Sequence, residues 1–397
     1  MRAIILDGHL KSALAAVRSL GEKGIEFSVG AERRTAPAFH SRYTKDTFIY
    51  TSPIIDKECF VDELIKEAER LGDKPVIYAF SDATFLPLLR HRIRVERVAT
   101  LVMGDSGNIE IAFNKKKTLE LAQKLNIPIP KTFMLDDLDE ISALSKEMIY
   151  PNIVKPQHSV EWKEKRGYVG RVLFKHTPGD MVAYVSKLFT ETGEMPLIQK
   201  YVHGAEYGVE YLCDHGKIKA TCVHRRLRSL SPTGGASVLK ETVPETELVK
   251  RMKGYAEKLV KELKWHGIIM IEFKINDKKN EPALMEINGR FWGSLPLAVF
   301  AGVDFPYLYY KLAMKSDISN VPPYTVGVTS RHLLGDIKNL LSVLFSRDRI
   351  RRTFYPPRKK ALTDFFRDEV ARYDVLQRND LTPFIFEAID SIVRTLK

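Results

Sequence analysis

Two apolar runs joined by a short polar turn constrain this 397-residue chain more than any other feature. Gly267–Asn276 (GIIMIEFKIN) and residues 284–297 (LMEINGRFWGSLPL) read as buried strands, and DKKNE at 277–281 reads as the turn between them. A hairpin centred near Lys279 sets Glu272 directly across from Glu286. Side chains alternate along a strand, so Glu286, Asn288 and Arg290 share one face, while Ile287, Gly289 and Phe291 share the other. Two facing carboxylates repel and normally destabilise a sheet. A divalent cation between them turns that repulsion into coordination, and a register slip of two residues would keep both on the same face. A carboxylate, an amide and a guanidinium in a row offer hard oxygens to Mg²⁺ and a planar fork to phosphate. The same residues also read as an exposed acidic pair on the solvent side of a hairpin, and the two strands alone leave both readings open.

The rest of the chain supplies a frame for such a hairpin. Residues 1 to about 108 alternate strand and helix: strands at 3–6, 26–29, 75–79 and 99–103, helices at 10–23, 62–71 and 83–90. That alternation predicts a parallel sheet covered on both faces. The first turn, Asp7-Gly8-His9, lacks the GxGxxG fingerprint of dinucleotide sites and reads as a structural turn. A basic amphipathic helix at 114–125 is followed by Ile127-Pro128-Ile129-Pro130, which forces an extended connection. From there to about Tyr201 the pattern is a small α+β unit, with strands at Asn152–Lys155, 171–175 and Leu197–Lys200 and a charged segment at 157–170. Three strand-like runs over 205–242 and a long helix at 246–263 lead into the hairpin, with a further helix at 305–314. A strand at 326–332 and amphipathic helices at 333–345, 362–372 and 383–396 complete the chain, with no internal repeat.

Composition narrows the class. Hydrophobic residues at 44% and charged residues at 28% are ordinary for a globular protein of two or three domains. Cys59, Cys213 and Cys222 form no CxxC, so neither a disulfide framework nor a zinc site is suggested. Neither a signal peptide nor a run of about 18 apolar residues is present, and the expectation is a cytoplasmic protein without a transmembrane segment. The net charge of +12 is partly local. Residues 347–360 carry Arg347, Arg349, Arg351, Arg352, Arg358, Lys359 and Lys360 against Asp348 alone. Such a run can meet an acidic partner or a membrane surface peripherally, or be a solvated loop. With only Phe354 and Tyr355 available for stacking, it argues against nucleic acid as the partner.

Several polar residues sit in otherwise apolar strands. Lys155 ends Asn152-Ile153-Val154 and is either reaching for solvent or placed to meet phosphate. Gln199-Lys200-Tyr201-Val202 closes a strand, with Glu206 just beyond. His224, Arg225, Arg226 and Arg228 lie on a strand leading to Gly234-Gly235 and could hold an anion or be surface charges. In order and spacing, over roughly residues 1–315, the chain resembles the ATP-grasp superfamily, which includes biotin carboxylase, carbamoyl-phosphate synthetase and D-alanine–D-alanine ligase. Thr233-Gly234-Gly235-Ala236-Ser237 and the stretch from Glu286 to Ser294 most resemble its predicted carboxylate–amine ligases.

The resemblance implies an α/β and α+β fold: a Rossmann-like domain at 1–112, a small lobe with linker helix at 113–203, a large lobe with the metal hairpin at 204–330, and a basic helical extension at 331–397. It implies that Lys115 and Lys155 bind phosphate, that Gln199, Lys200, Tyr201 and Val202 form the hinge that reads adenine, and that Glu206 binds ribose. Glu272, Glu286 and Asn288 would be the metal ligands and Arg290 the residue that holds the transferred phosphate. The cofactors implied are ATP and Mg²⁺, for which Mn²⁺ could stand in. The reaction implied is activation of a carboxylate as acyl phosphate and its coupling to an amine, with ADP and phosphate released. Two departures stand out: Asn114 replaces the usual Asp before the helix lysine, and QHSVEWKEKRGYVG at 157–170 is bulkier than the family's glycine-rich flap. A catalytically silent nucleotide-binding regulator, a nucleic-acid binder acting through the basic segment, and a homodimer remain the alternatives on partners and activity.

Overall fold

The computed structural model describes residues 1–231, 234–276, 280–346 and 355–395. The N-terminal part is a four-stranded parallel sheet in the order Asp46–Ile49, Phe27–Ala31, Ala3–Ile5, Val76–Tyr78. Helices Lys11–Glu22 and Lys57–Leu71 supply its apolar cover, and Phe27–Ala31, Ala3–Ile5 and Val76–Tyr78 are buried along their whole length. Central parallel strands lose water on both faces, which is why their sequences are apolar runs rather than alternations. The strand expected at 99–103 is reduced to a single bridge between Thr100 and Val76. Asp46–Ile49 had no apolar run to announce it, because this edge strand leaves every second residue exposed.

A second four-stranded sheet, in the order Thr132–Phe133, Leu197–Lys200, Asn152–Lys155, Leu173–Lys175, carries helices Leu138–Glu147 and Pro178–Thr192. Its core (Ile141, Val154, Met181, Val185, Leu188 and Ile198) is separate from the two larger cores that hold the rest of the molecule together. The charged segment 157–170, expected without regular structure, is instead a hairpin of Val160–Lys163 with Arg166–Val169.

The largest sheet has seven strands, in the order Glu281–Asn288, Gly267–Asn276, Glu206–Asp214, Lys217–Ser231, Gly234–Thr242, Thr329–Arg331, Arg372–Tyr373. All neighbours are antiparallel except the last pair. Helix Glu247–Glu262, capped by Thr246, buries Val249, Met252, Ala256, Leu259 and Val260, the spacing that lines one helical face. That face shares a core with Val209, Ile271 and Leu284 beneath the sheet. The opposite face is therefore free to carry polar side chains, and it is the face that bears Glu272 and Glu286.

The mostly helical C-terminal extension contributes the last strand, Arg372–Tyr373, and ties the first domain to this sheet. Asp374, fully buried, accepts from Lys11 Nζ at 2.7 Å and pairs with Lys240. Arg18, in the first helix, donates to Asp380 Oδ2 at 2.8 Å and to Val375 O at 2.8 Å. His40 stacks on Phe386 of helix Thr382–Thr395. Residues 347–354 of the basic run lie outside the described residues, whereas Arg358–Arg367 is a helix packed beside Leu333–Phe345. Among the described residues, no helix is long and apolar enough to cross a membrane.

Burial pushes the Asp374 carboxyl up, but Lys11 and Lys240 outweigh it and hold the group well below the usual carboxylate range. A depressed folded-state value gives stability that is complete above the unfolded value, about pH 4, and is lost as pH falls below it. Asp374→Asn keeps the shape but leaves two lysines without their counter-ion. It should cost about 3–5 kcal/mol, read as a lower urea midpoint at pH 7, and it should flatten the parent's loss of stability below pH 4. An unchanged midpoint would remove Asp374 from the account of how the extension is held.

Candidate functional site

The hairpin forms in the expected register, with Glu272 paired to Glu286 and Ile271 to Ile287. One irregularity follows Glu272. Strand pairing ends at Asn288, so Arg290 lies just past the strand rather than on it. Gly289 between them is required by packing: a Cβ there would sit 2.5 Å from the Trp265 ring. Asn288 Nδ2 donates to Glu272 Oε1 at 3.2 Å and approaches Glu286 Oε1 at 3.5 Å. Two carboxylates and an amide thus converge on one point.

Burial first, and then the neighbouring Glu286, push the Glu272 carboxyl up to about 7. The donor set fits a hard divalent cation: two carboxylates supply charge and oxygen, and a flip of the Asn288 amide would present its oxygen instead of its nitrogen. Such a cation would also supply the positive charge that the acids lack between them.

A cavity of about 840 Å³ opens over this pair, between the seven-stranded sheet and the smaller lobe. Lys155, Tyr201, Glu206, Glu272, Glu286, Asn288 and Arg290 all line it. Lys155 closes its strand at the rim of the small lobe. Burial pulls its ammonium down to about 8, with Glu286 opposing. Arg290 donates from Nε to Asp82 Oδ1 at 2.7 Å. Burial lowers both partners' tendency to ionise, yet the pairing wins: the Asp82 carboxyl is held below its usual value and the Arg290 guanidinium above its own. With Nε on Asp82 and Nη1 on Phe291 O at 3.0 Å, the fork is fixed before any ligand arrives.

The remaining expected residues are arranged around that centre. Lys115 does not line the cavity. Its Nζ donates to Ser159 Oγ at 2.9 Å, and it adds to the positive field on Asp82. Asn114 caps the helix by accepting from Lys117 N at 3.0 Å, as an aspartate would, and its amide also donates to Gln157 Oε1 at 3.3 Å, as an aspartate could not. Gln199 is buried and donates to Thr132 Oγ1 at 3.0 Å, while the Lys200 side chain points to solvent. Tyr201 lies under the Lys274 ammonium, 4.6 Å from its ring centre, and Val202 follows at the crossing between lobes.

Glu206 is engaged by two cations, Lys274 at 3.1 Å and Arg226. Burial pushes its carboxyl up, but Arg226 and Lys274 bring it below the usual value. Arg226 also reaches Glu272 at 3.7 Å. A second cavity of about 670 Å³ continues past Tyr201, Glu206, Arg226 and Lys274 to Lys360, Ala361 and Asp364 of the C-terminal extension.

Sequence reasoning left Lys274 and Asp82 unnamed and did not single out Arg226. Lys274 had a signal, since it lies two residues from Glu272 and so on the same strand face. Arg226 stood among anion candidates with no means to choose between them. Asp82 had no signal, because 208 residues separate it from Arg290. The hairpin 160–169 also has an unexpected seat on the first domain. Trp162 Nε1 donates to Pro53 O and Gly167 N to Ile54 O, both at 2.7 Å, with Arg90 over the Trp162 ring.

The chain is similar to known proteins in sequence and in fold. Residues 193–334 match the family described as "ATP-grasp in the biosynthetic pathway with Ter operon". The carbamoyl phosphate synthase large chain of Pyrococcus furiosus is 26% identical over 257 residues, covering 60% of this chain and 23% of that protein. The Archaeoglobus fulgidus large chain is 24% identical over 307 residues, covering 75% and 27%. The chain therefore spans about a quarter of the length of these relatives. In fold it is similar to a biotin carboxylase–β,γ-ATP complex from Campylobacter jejuni, with a TM-score of 0.66 at 16% identity over 83% of this chain and 74% of that one. It is similarly close to the biotin carboxylase domain of Hydrogenobacter thermophilus 2-oxoglutarate carboxylase, solved with MgADP and bicarbonate. There the TM-score is 0.63 at 14% identity, over 83% and 73% of the two chains.

The raised Glu272 carboxyl yields a test that needs no substrate. A group whose folded value is raised contributes stability below its unfolded value, about pH 4.3, and loses it as pH climbs through about 7. In chelator-treated protein, stability should therefore fall between pH 5 and 8, by roughly 3 kcal/mol at most. Glu286→Gln should flatten that slope and leave metal-free stability equal or higher, and added Mg²⁺ should restore the parent but not the variant. Equal slopes for parent and variant would contradict the facing-acid geometry.

Proposed function

We infer that this chain, an ATP-grasp protein related to the carbamoyl phosphate synthase large chain, is an ATP-dependent ligase. In this reading it activates a small-molecule carboxylate as acyl phosphate and couples it to an amine, releasing ADP and phosphate. The observation that carries the reading is the convergence of Glu272, Glu286 and Asn288 with the cations Lys155 and Arg290 in one cavity between two lobes. Acids and cations on one surface suit a substrate that is itself polyanionic and metal-bound, because each sign of charge then has a partner.

Phosphoryl transfer asks little covalent chemistry of the protein and much positioning. Mg²⁺ held by Glu272, Glu286 and Asn288 would polarise the phosphates and offset their charge. Lys155 would meet phosphate oxygens from the small lobe. Tyr201, Val202 and the main chain from Gln199 to Lys200 would border the base, with Glu206 toward the sugar. Lys115, one contact behind Asp82 and Ser159, would raise the positive potential at the phosphate end. Arg290, already oriented by Asp82, would hold the transferred phosphoryl oxygens as they move from ATP to the carboxylate and then leave with phosphate.

An acyl phosphate is lost to water unless solvent is kept out. The independent core of the small lobe lets it move as a body, and the hairpin 160–169 gives that body an edge that reaches the first domain.

Two experiments test the reading. Lys155→Ala should loosen ATP binding by about 10- to 100-fold, equivalent to the loss of one charge-assisted contact, as measured by calorimetry with Mg²⁺. Binding equal to the parent would remove Lys155 from the site. With the carboxylate found by screening for ADP release, substrate labelled with ¹⁸O in the carboxylate should pass one labelled oxygen to inorganic phosphate. Arg290→Ala should slow that turnover more than it weakens nucleotide binding. Label kept wholly in the organic product, or AMP and pyrophosphate in place of ADP, would rule the mechanism out.

A further inference from the structure

The far wall of the main cavity carries a buried polar group that the phosphate chemistry above does not use. His224 and Ser294 both line the cavity. His224 Nδ1 lies 3.0 Å from Glu210 Oε1, and Ser294 Oγ donates to the same oxygen at 3.2 Å. His224 is 4% exposed and Glu210 1%. Burying a carboxylate and an imidazole costs several kcal/mol unless each answers the other, so the pair is built rather than incidental.

Its position follows from strand register. Gly208 pairs with Glu272 on one side and with His224 on the other, so Glu286, Glu272, Gly208 and His224 form one row across the sheet. Adjacent strands stand about 4.8 Å apart, which sets His224 two strands beyond the metal acid. The ring folds back over the intervening residue. A Cβ on Gly208 would sit 2.3 Å from His224 Cε1, so only glycine lets the imidazole lie flat toward Glu272. Nδ1 faces Glu210, and Nε2 makes no hydrogen bond among the described residues. The 3.0 Å approach of Nδ1 to Glu210 Oε1 is an ion-pair distance without hydrogen-bond geometry, so His224 Nδ1, Glu210 Oε2 and the indole nitrogen of Trp292, a cavity-lining neighbour, are buried without hydrogen-bond partners.

We propose that this corner is the amine subsite of the ligase read above, and that His224, oriented by Glu210, takes the proton from the attacking nucleophile. In the step it serves, the amine nitrogen forms a bond to the acyl carbon. The carbon–oxygen bond to phosphate breaks with its electron pair leaving on phosphate, and the surplus N–H proton passes to His224 Nε2. Glu210 would stabilise the imidazolium so formed, as a carboxylate behind a histidine does. It is a positioning residue, since it meets the substrate through His224. Arg290 and the metal acids serve the first half-reaction and His224 the second, so the two halves are separable by mutation.

The test uses that separation, and it rests on the ligase reading. The purified full chain is given ATP, Mg²⁺ and a panel of bicarbonate, α-amino acids and simple mono- and dicarboxylates, with either amino-acid amines or hydroxylamine as nucleophile. Hydroxylamine, largely unprotonated at pH 7 and strongly nucleophilic, reports acyl phosphate as a hydroxamate with little need for a base. His224→Gln should slow amide formation about 100-fold or more, while hydroxamate formation and nucleotide binding stay near the parent's. Added imidazole should restore part of the amide rate to His224→Ala. Glu210→Gln, which keeps its shape, should show the same split with a smaller loss, and serves if the histidine variants fail to fold. Amide formation at the parent rate in His224→Gln, or amide and hydroxamate lost together in every variant, would overturn the role of His224. No hydroxamate from the parent with any carboxylate would instead overturn the ligase reading, and this proposal with it.

Discussion

The opposition of Glu272 and Glu286 across one pair of strands is the constraint on which the rest of this structure depends. Two acids so placed are unfavourable in isolation, and the fold brings three cations toward them. Arg226 approaches from the next strands, Lys155 from the small lobe, and Arg290 from the end of the hairpin. Two of these cations are in turn held by a further acid. Arg226 answers Glu206, and Arg290 answers Asp82. The result is a charge lattice in which few groups can relax independently, which keeps side chains oriented before a ligand binds.

The parts that meet at that lattice differ in how they are joined. The seven-stranded sheet, the first domain and the C-terminal extension are joined by continuous cores and by buried ion pairs at Asp374 and Asp380. The small lobe has its own core and meets the remainder through polar contacts and through Trp162 and Gly167 at Pro53 and Ile54. Polar contacts of this kind break at smaller cost than a shared apolar core. Lys155 and Lys115 therefore belong to, or touch, the lobe with its own core, whereas the acids and Arg290 belong to the part that shares its cores with the first domain.

The same sheet face carries both ends of the proposed chemistry. Row by row it passes from Glu286 and Glu272 through Gly208 to His224, so in the proposed reaction a carboxylate activated at one end would have a buried imidazole two strands away. The second cavity, leading from Tyr201, Glu206 and Lys274 to Lys360, brings the C-terminal extension beside the main cavity rather than leaving it remote. Distance along the chain is no guide to distance in the fold here.

Local pattern by itself determined the strands of the central hairpin and their faces. Gly267–Asn276 was legible to the residue because its apolar run is flanked by turn chemistry, and the register of Glu272 against Glu286 followed from the period of two. Lys155 at a strand end and Gln199 before the lobe crossing were legible for the same reason. What only the tertiary structure decided was which distant groups complete the site. Asp82, 208 residues from Arg290, and Ser159 beside Lys115 leave no periodic trace, because an ion pair requires only that two ends meet. The hairpin at 160–169 was hidden because its strands are short, charged and half exposed, and its seat on Pro53 and Ile54 uses backbone groups that every residue possesses. Alternation along a strand is a property of the chain and can be read from it, whereas countercharge is a property of space and appears only once the chain has folded.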